Sequence, residues 1–139
     1  MSLYKQYKTD NVKEVNGVEI ETAQNEDGSF ATFIISRAGE SNKAYQKALE
    51  LASKPYRRQI DMGILEPAKA EEIYFNVFCE TILKGWKNVF DENGEAIEFS
   101  IGAAKKLLTD LPELYKELNV NSNKLALFRV TGLENDAKN

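Results

Sequence analysis

The sequence contains no histidine and only one cysteine. Without histidine there is no Ser–His or Cys–His nucleophile pair, no histidine metal site, and none of the commonest general base. The single cysteine, Cys79, cannot form a disulfide within the chain or a thiolate metal site. We therefore expect no cofactor, no metal, no enzymatic activity, and a reducing, cytoplasmic location.

The sequence also lacks a long hydrophobic run and an excess of positive charge. The most apolar window, residues 73–79, is interrupted by Asn76, and the polar residues 1–10 do not resemble a signal peptide. Eighteen Lys and Arg against 22 Asp and Glu give a net charge of −4. This charge disfavours a nucleic-acid binder held by phosphate contacts. We expect neither a membrane nor nucleic acid among the partners.

The remaining composition is that of an ordinary globular domain. The 139 residues are 42% hydrophobic and 29% charged, with no internal repeat or linker, which predicts a single domain over residues 1–139. The polar ends, residues 1–10 and 133–139, are expected to be frayed.

The first third of the chain is patterned as β-strand. A turn sequence at Asn25–Gly28 separates alternating residues at 18–22 from a second strand at 30–35, whose last three residues are all apolar. The pattern predicts an antiparallel hairpin. The preceding residues, Val12 to Gly17, extend the alternation through an Asn-Gly turn, so a third strand there is an alternative.

From Ser41 onward the hydrophobic period becomes helical. Ser41 is placed to cap a first helix, which Pro55 interrupts, and Gly63 ends the short helical stretch that follows. Pro67 is suited to open the next helix. The apolar pattern continues that helix to Lys84, with Gly85 as its stop.

The helix predicted over residues 67–84 is apolar around most of its circumference. One stripe contains Ile73, Tyr74, Val77, Phe78 and Ile82, and a second contains Phe75, Cys79, Leu83 and Trp86. Such a helix must be central to its domain or be covered by a partner. Because burial of one large side chain is worth about 1.5–3 kcal/mol, we expect another polypeptide to cover what the domain leaves open.

The last third predicts a turn followed by two helices. Asp91–Gly94 suits a hairpin turn, and the position of its glycine does not match a calcium-binding loop. Ser100 can cap one helix and Pro112 can open another, and apolar residues return at 125–130. Overall, we predict an α+β fold, mainly α, with the N-terminal antiparallel β-hairpin packed on a bundle of four to five helices.

Three features have alternative interpretations. Cys79 lies in an apolar stripe without a positive neighbour, which favours a packed core thiol over a nucleophile. Trp86 is either a packing residue or an interface anchor. The only basic cluster is Lys54, Arg57 and Arg58, which is either a solvated face or a surface for an anionic partner.

Several segments, in their order and spacing, resemble the small tail assembly chaperones of long-tailed phages and prophages. They are residues 34–39 (IISRAG), 42–47 (NKAYQK), 54–58 (KPYRR), 83–89 (LKGWKNV), 91–94 (DENG) and 107–112 (LLTDLP). The resemblance covers roughly residues 30 to 130. It carries no catalytic motif.

The resemblance implies a mostly helical chaperone that coats the aggregation-prone tape measure protein and helps recruit tail tube subunits during tail assembly. A homo-oligomer is compatible with this role. The candidate partner-binding residues are Phe75, Leu83, Trp86, Leu125 and Phe128. The alternatives are a structural subunit of the particle, such as a tail-completion or head–tail connector protein, and a small hydrolase or ligand-binding domain.

Overall fold

A computed structural model describes residues 2–130 of the chain. Within this range it contains seven α-helices and one three-stranded antiparallel sheet, so the predicted α+β, mainly α class is confirmed. The C-terminal stretch expected to be frayed, residues 133–139, lies outside the described residues. At the other end, residues 3–7 form a helix and Thr9 pairs with Arg129 in an isolated bridge.

The elements follow one another in this order: helices α1 (Leu3–Tyr7) and α2 (Asn11–Asn16), strands β1 (Val18–Gln24) and β2 (Phe30–Ile35), helices α3 (Lys43–Ser53), α4 (Arg57–Asp61) and α5 (Pro67–Val77), strand β3 (Leu83–Lys87), and helices α6 (Ile101–Asp110) and α7 (Pro112–Ser122). Short 3-10 turns span Lys54–Tyr56 and Leu125–Phe128, and a π-helical turn spans Phe78–Ile82.

The sheet has the order β1-β2-β3, in which β1 and β2 form the predicted hairpin. The third strand, β3, differs from the prediction, in which the helix continues to Lys84 and stops at Gly85. The helix instead ends in the π-helical turn, and the chain pairs antiparallel with β2 along the edge that β1 leaves open. The last carbonyl of the π-helical turn finds a partner just after β2: the backbone N–H of Ser36 donates to the carbonyl of Ile82 at 2.8 Å. Backbone pairing with a distant strand therefore overrides the local helical period.

The segment from Val12 to Gly17 is not the additional strand that the sequence left as an alternative. It forms α2, because the Asp10 side chain accepts from the backbone N–H groups of Val12 and Lys13 and caps the helix. Gly17 ends the helix with a φ of +101°. A side-chain cap and a glycine stop thus outweigh an incomplete alternation of apolar residues.

Gly17 occupies a position that no other residue suits. A Cβ atom there would lie 2.9 Å from the carbonyl oxygen of Ile35 and 2.9 Å from Cγ2 of Ile34. Because φ is positive and the neighbouring atoms include backbone, we expect Gly17→Ala to lower the free energy of unfolding by about 1–3 kcal/mol. Urea denaturation measures the change.

Gly102 in α6 is the matched control for that substitution. Its added Cβ would come no closer than 3.9 Å to the Ser100 hydroxyl oxygen, and its φ is not positive. Gly102→Ala is therefore expected to stabilise the chain by about 0.5–1 kcal/mol. Equal effects of the two substitutions would contradict the strain assigned to Gly17.

The helix caps are partly as predicted. Ser100 accepts from the backbone N–H of Ala103 at the start of α6, and Pro112 opens α7. At α3 the cap is Asn42 instead of Ser41: its Oδ1 accepts from the backbone N–H of Tyr45 at 3.2 Å. The Ser41 hydroxyl donates to the carboxylate of Glu14 instead.

The hydrophobic core joins the hairpin to the helices. Phe33 and Ile35 of β2 pack in one buried cluster with the π-helical turn, Leu83 of β3, and residues of α6 and α7. The buried members from the two last helices are Ala104, Leu108 and Leu118. Residues from Phe33 to Leu118 therefore build one buried cluster.

Candidate partner-binding surface

Two of the five predicted partner-binding residues lie inside the protein. Leu83 is 2% exposed on β3, and Phe128 is fully buried in the 3-10 turn before Arg129. Neither side chain can touch a partner while the chain keeps this conformation.

The other three, Phe75, Trp86 and Leu125, are half-buried. The ring of Phe75 meets that of Tyr115 edge to face, with centroids 5.0 Å apart. Trp86 packs similarly on Phe99 at 4.9 Å, and its Nε1 donates to the carbonyl of Ile97 at 2.7 Å. The chain itself therefore supplies neighbours for the second apolar stripe, which we expected to need a partner. A role of the five residues in binding remains a prediction.

Cys79 is buried in the core, as predicted. Burial raises the pKa of its thiol to about 11, against a smaller opposing effect of the Lys105 charge. The thiol therefore stays protonated at neutral pH, which suits a packing residue and not a nucleophile.

Three further features bear on a metal site, the turn at residues 91–94 and membrane insertion. Among residues 2–130 there is no group of three or more Cys, Asp or Glu side chains placed to hold a metal ion. The turn at Asp91–Gly94 is the predicted hairpin turn, since the Asp91 carboxylate accepts from the backbone N–H groups of Asn93 and Glu95. None of the helices in this part of the chain is long and apolar enough to cross a membrane.

Basic and apolar side chains are exposed together where the helical run of α3 and α4 turns toward α5. We call this surface the basic–apolar corner; it consists of Lys54, Arg57, Arg58, Ile60, Met62 and Ile64. Ile60 is 42% exposed, and Met62 and Ile64 are each 62% exposed. Three large apolar side chains thus stand in solvent within five residues of one another.

The local sequence explains the shape of the corner. Pro55 tightens the helical run into a 3-10 turn, and Gly63, with a φ of +69°, ends α4. The backbone N–H of Met62 still donates to the carbonyl of Arg58 at 3.0 Å, so the helical turn reaches Met62. The N–H of Ile64 bonds back to Gln59 at 2.9 Å. The exposed apolar side chains therefore follow the arginines by about one helical turn.

The three cations of the corner have no ion-pair partner among residues 2–130. Glu50 and Asp61 lie nearby in sequence, yet neither carboxylate comes within 4.0 Å of Lys54, Arg57 or Arg58. Five lysines elsewhere do form ion pairs, as in Lys106–Asp110 at 3.0 Å. The corner therefore presents positive charge that no residue from 2 to 130 neutralises by an ion pair, on a molecule whose net charge is −4.

The corner contacts the following helix, α5, through a cation–π interaction. The ammonium group of Lys69 in α5 lies 5.3 Å from the centre of the Tyr56 ring, and it also pairs with Glu72 at 3.0 Å. Tyr56 belongs to the same turn as Lys54. The contact between Lys69 and Tyr56 thus packs the corner against α5.

Sequence reasoning found the cations of this surface but missed its apolar half. The signal was present: Ile60 lies in a helix of only five residues, and Met62 and Ile64 follow that helix on either side of Gly63. Neither so short a helix nor the turn after it places these side chains in the core.

Comparison with known proteins gives a match to a family model. A family model described as the YdaY prophage protein matches residues 40–139, which is more than two thirds of the chain. No curated protein and no solved structure matches the chain. The matched region includes the basic–apolar corner and β3, whereas the hairpin of β1 and β2 precedes it. The chain belongs to the YdaY prophage protein family.

Proposed function

We propose that the chain is a non-enzymatic tail assembly chaperone of a prophage. It acts in the cytoplasm of the bacterial host, binds the tape measure protein, and helps recruit tail tube subunits. Membership of a prophage family and the resemblance of residues 30–130 to such chaperones support the proposal. The observation that carries it is the basic–apolar corner. Solvent-exposed apolar side chains next to cations without ion-pair partners are typical of a surface that binds another protein.

The corner is suited to a moderate, reversible contact. Full burial of one large apolar side chain is worth about 1.5–3 kcal/mol, and Ile60, Met62 and Ile64 start from partial exposure. Their joint burial therefore contributes a few kcal/mol, from which the cost of association must be subtracted. A chaperone that must leave its client when the tail is complete requires this kind of contact.

Co-expression with the tape measure protein of the same prophage tests the proposal. We expect the chain to keep this client in the soluble fraction and to co-elute with it in size-exclusion chromatography. An insoluble client and no shared peak would contradict the chaperone role. Mass spectrometry of purified particles tests the alternative, since a tail-completion or connector subunit would be retained in the virion and a chaperone would not.

A further inference from the structure

We propose that the basic–apolar corner is a docking site for one short, acidic, amphipathic α-helix of a protein partner. The inference deepens the proposed function and rests on it only for the identity of the partner, the tape measure protein.

The backbone of the corner favours a helical occupant over an extended one. Its N–H groups are already used internally, as in the bonds from Met62 to Arg58 and from Ile64 to Gln59. The corner therefore offers no row of free backbone groups to which a strand could be added. A helix satisfies its own backbone and needs only side-chain contacts.

The size and order of the groups define the occupant further. From Lys54 to Met62 the helical run is about 12 Å long, which matches roughly two turns of a helix laid along it. The apolar groups at Ile60, Met62 and Ile64 follow the cations by one turn. The occupant must then present an apolar stripe with acidic residues about one turn away.

The positive charge of the corner predicts that the helix bound there is acidic. Lys54, Arg57 and Arg58 are exposed and lack partners within residues 2–130, so an acidic helix would gain attraction without first displacing an internal ion pair. A basic helix would meet repulsion. The attraction acts between exposed groups and must weaken with added salt.

An anionic membrane is the less favoured partner. Three cations near a charged surface supply only about 1 kcal/mol each, while the chain as a whole carries a net charge of −4. The corner also offers no exposed aromatic side chain for the interface, since Tyr56 is half-buried beneath Lys69.

The test uses two fluorescent peptides of about 18 residues, long enough to hold a helix. Both have leucine at helical spacing; one carries glutamate at the flanking positions and the other carries lysine. Fluorescence anisotropy with the full chain is expected to show at least tenfold tighter binding of the glutamate peptide. The doubly substituted chains R57E/R58E and M62S/I64S should each lose at least tenfold in affinity for it. Raising the salt concentration should weaken binding to the wild type.

Two exposed positions on α7 and after it give matched controls. Val120, 56% exposed, is replaced with serine and Lys124 with glutamate; both variants should bind within about twofold of the wild type. Circular dichroism checks that every variant is folded. Equal affinity for the two peptides, or unchanged affinity of both corner variants, overturns the inference. So does corner-dependent binding to vesicles of phosphatidylglycerol and phosphatidylcholine, or corner-dependent self-association, without binding of the glutamate peptide.

The same variants separate this inference from the chaperone role. If the wild type solubilises the tape measure protein and the corner variants do so equally well, the chaperone role stands and the corner inference fails. If the glutamate peptide binds at the corner while the tape measure protein is not solubilised, the inference stands and the proposed function fails.

Discussion

Replacing Phe128 with alanine is expected to lower the free energy of unfolding by about 3–5 kcal/mol. Phe128 is fully buried and is among the largest enclosed side chains of the described residues. Its removal leaves a cavity that the 3-10 turn around it cannot fill without moving. Urea denaturation followed by tryptophan fluorescence measures the loss.

The position of Phe128 explains why so large an effect is expected near the end of the described range. Its carbonyl accepts from the backbone N–H of Asp10 at 2.7 Å, and the adjacent Thr9 and Arg129 form a bridge. The turn that carries the ring is therefore joined to residues 9 and 10 by backbone hydrogen bonds. A cavity in place of the ring should weaken this junction as well.

The Phe128 substitution also distinguishes a core role from a binding role. Val120→Ala, at a 56% exposed position of α7, is the control and should change the free energy of unfolding by less than about 0.5 kcal/mol. If Phe128→Ala left stability unchanged and abolished binding to the tape measure protein, the assignment of Phe128 to the core would be wrong.

Replacing Glu14 with alanine is expected to cost about 2–3 kcal/mol. Glu14 is 2% exposed and is the one buried charged residue among residues 2–130. Its carboxylate accepts from the Ser41 hydroxyl and lies 3.5 Å from the Arg37 guanidinium, while its carbonyl accepts from the backbone N–H of Arg37. Arg37 remains 27% exposed, so water limits the penalty of leaving it unpaired.

A surface pair gives the control for Glu14. Glu19 on β1 lies 2.8 Å from Lys87 on β3, but both side chains are 55% exposed. Glu19→Ala should therefore cost no more than about 1 kcal/mol. Chemical denaturation of both variants at pH 7 makes the comparison, and equal losses would show that the Glu14 network adds nothing beyond a surface contact.

The contribution of Glu14 should also depend on pH. Burial acts to raise the pKa of its carboxyl, but hydrogen bonds from Ser41 and Thr9 and the Arg37 charge outweigh this and lower the pKa below its ordinary value of 4.5. A carboxyl with a lowered folded-state pKa contributes stability that is present above the unfolded-state pKa and is lost as the pH falls through the folded-state pKa. The difference in stability between wild type and Glu14→Gln should thus be constant from pH 7 to about 5 and shrink below about pH 4.5. An unchanged difference at low pH would contradict this account.

Local signals in the sequence were reliable where one residue type performs one local task. The turn at Asn25–Gly28, the cap at Ser100 and the opening proline at Pro112 were all predicted correctly. Each depends on side-chain or backbone chemistry within about four residues. The buried state of Cys79 was likewise predictable from its apolar neighbours.

The predictions failed where a residue's partner comes from a segment far away in the sequence. Residues 83–87 carry a helical pattern, but the open edge of β2 recruits them as a strand. Ser41 is a good helix cap by type, yet the buried carboxylate of Glu14 takes its hydroxyl. Neither Glu14 nor β2 is close in sequence to the residue whose role it changes.

The candidate binding surface was likewise predictable from the sequence only in part. Its cations could be read from the sequence as the only basic cluster, but the stripe expected to bind a partner lies largely within the fold. The exposed apolar groups that adjoin this cluster are Ile60, Met62 and Ile64, and none of them was among the predicted binding residues. Which apolar side chains stay in water depends on how much surface the neighbouring elements can cover.

By itself, the sequence determined the mainly helical α+β class, the hairpin of β1 and β2, and the helix starts that depend on local caps. Only the tertiary structure decided that β3 completes the sheet, that Leu83 and Phe128 belong to the interior, and that apolar side chains are exposed beside Arg57 and Arg58. The physical reason is range: caps and turns are satisfied within a few residues, whereas burial and strand pairing are settled between segments far apart in the chain.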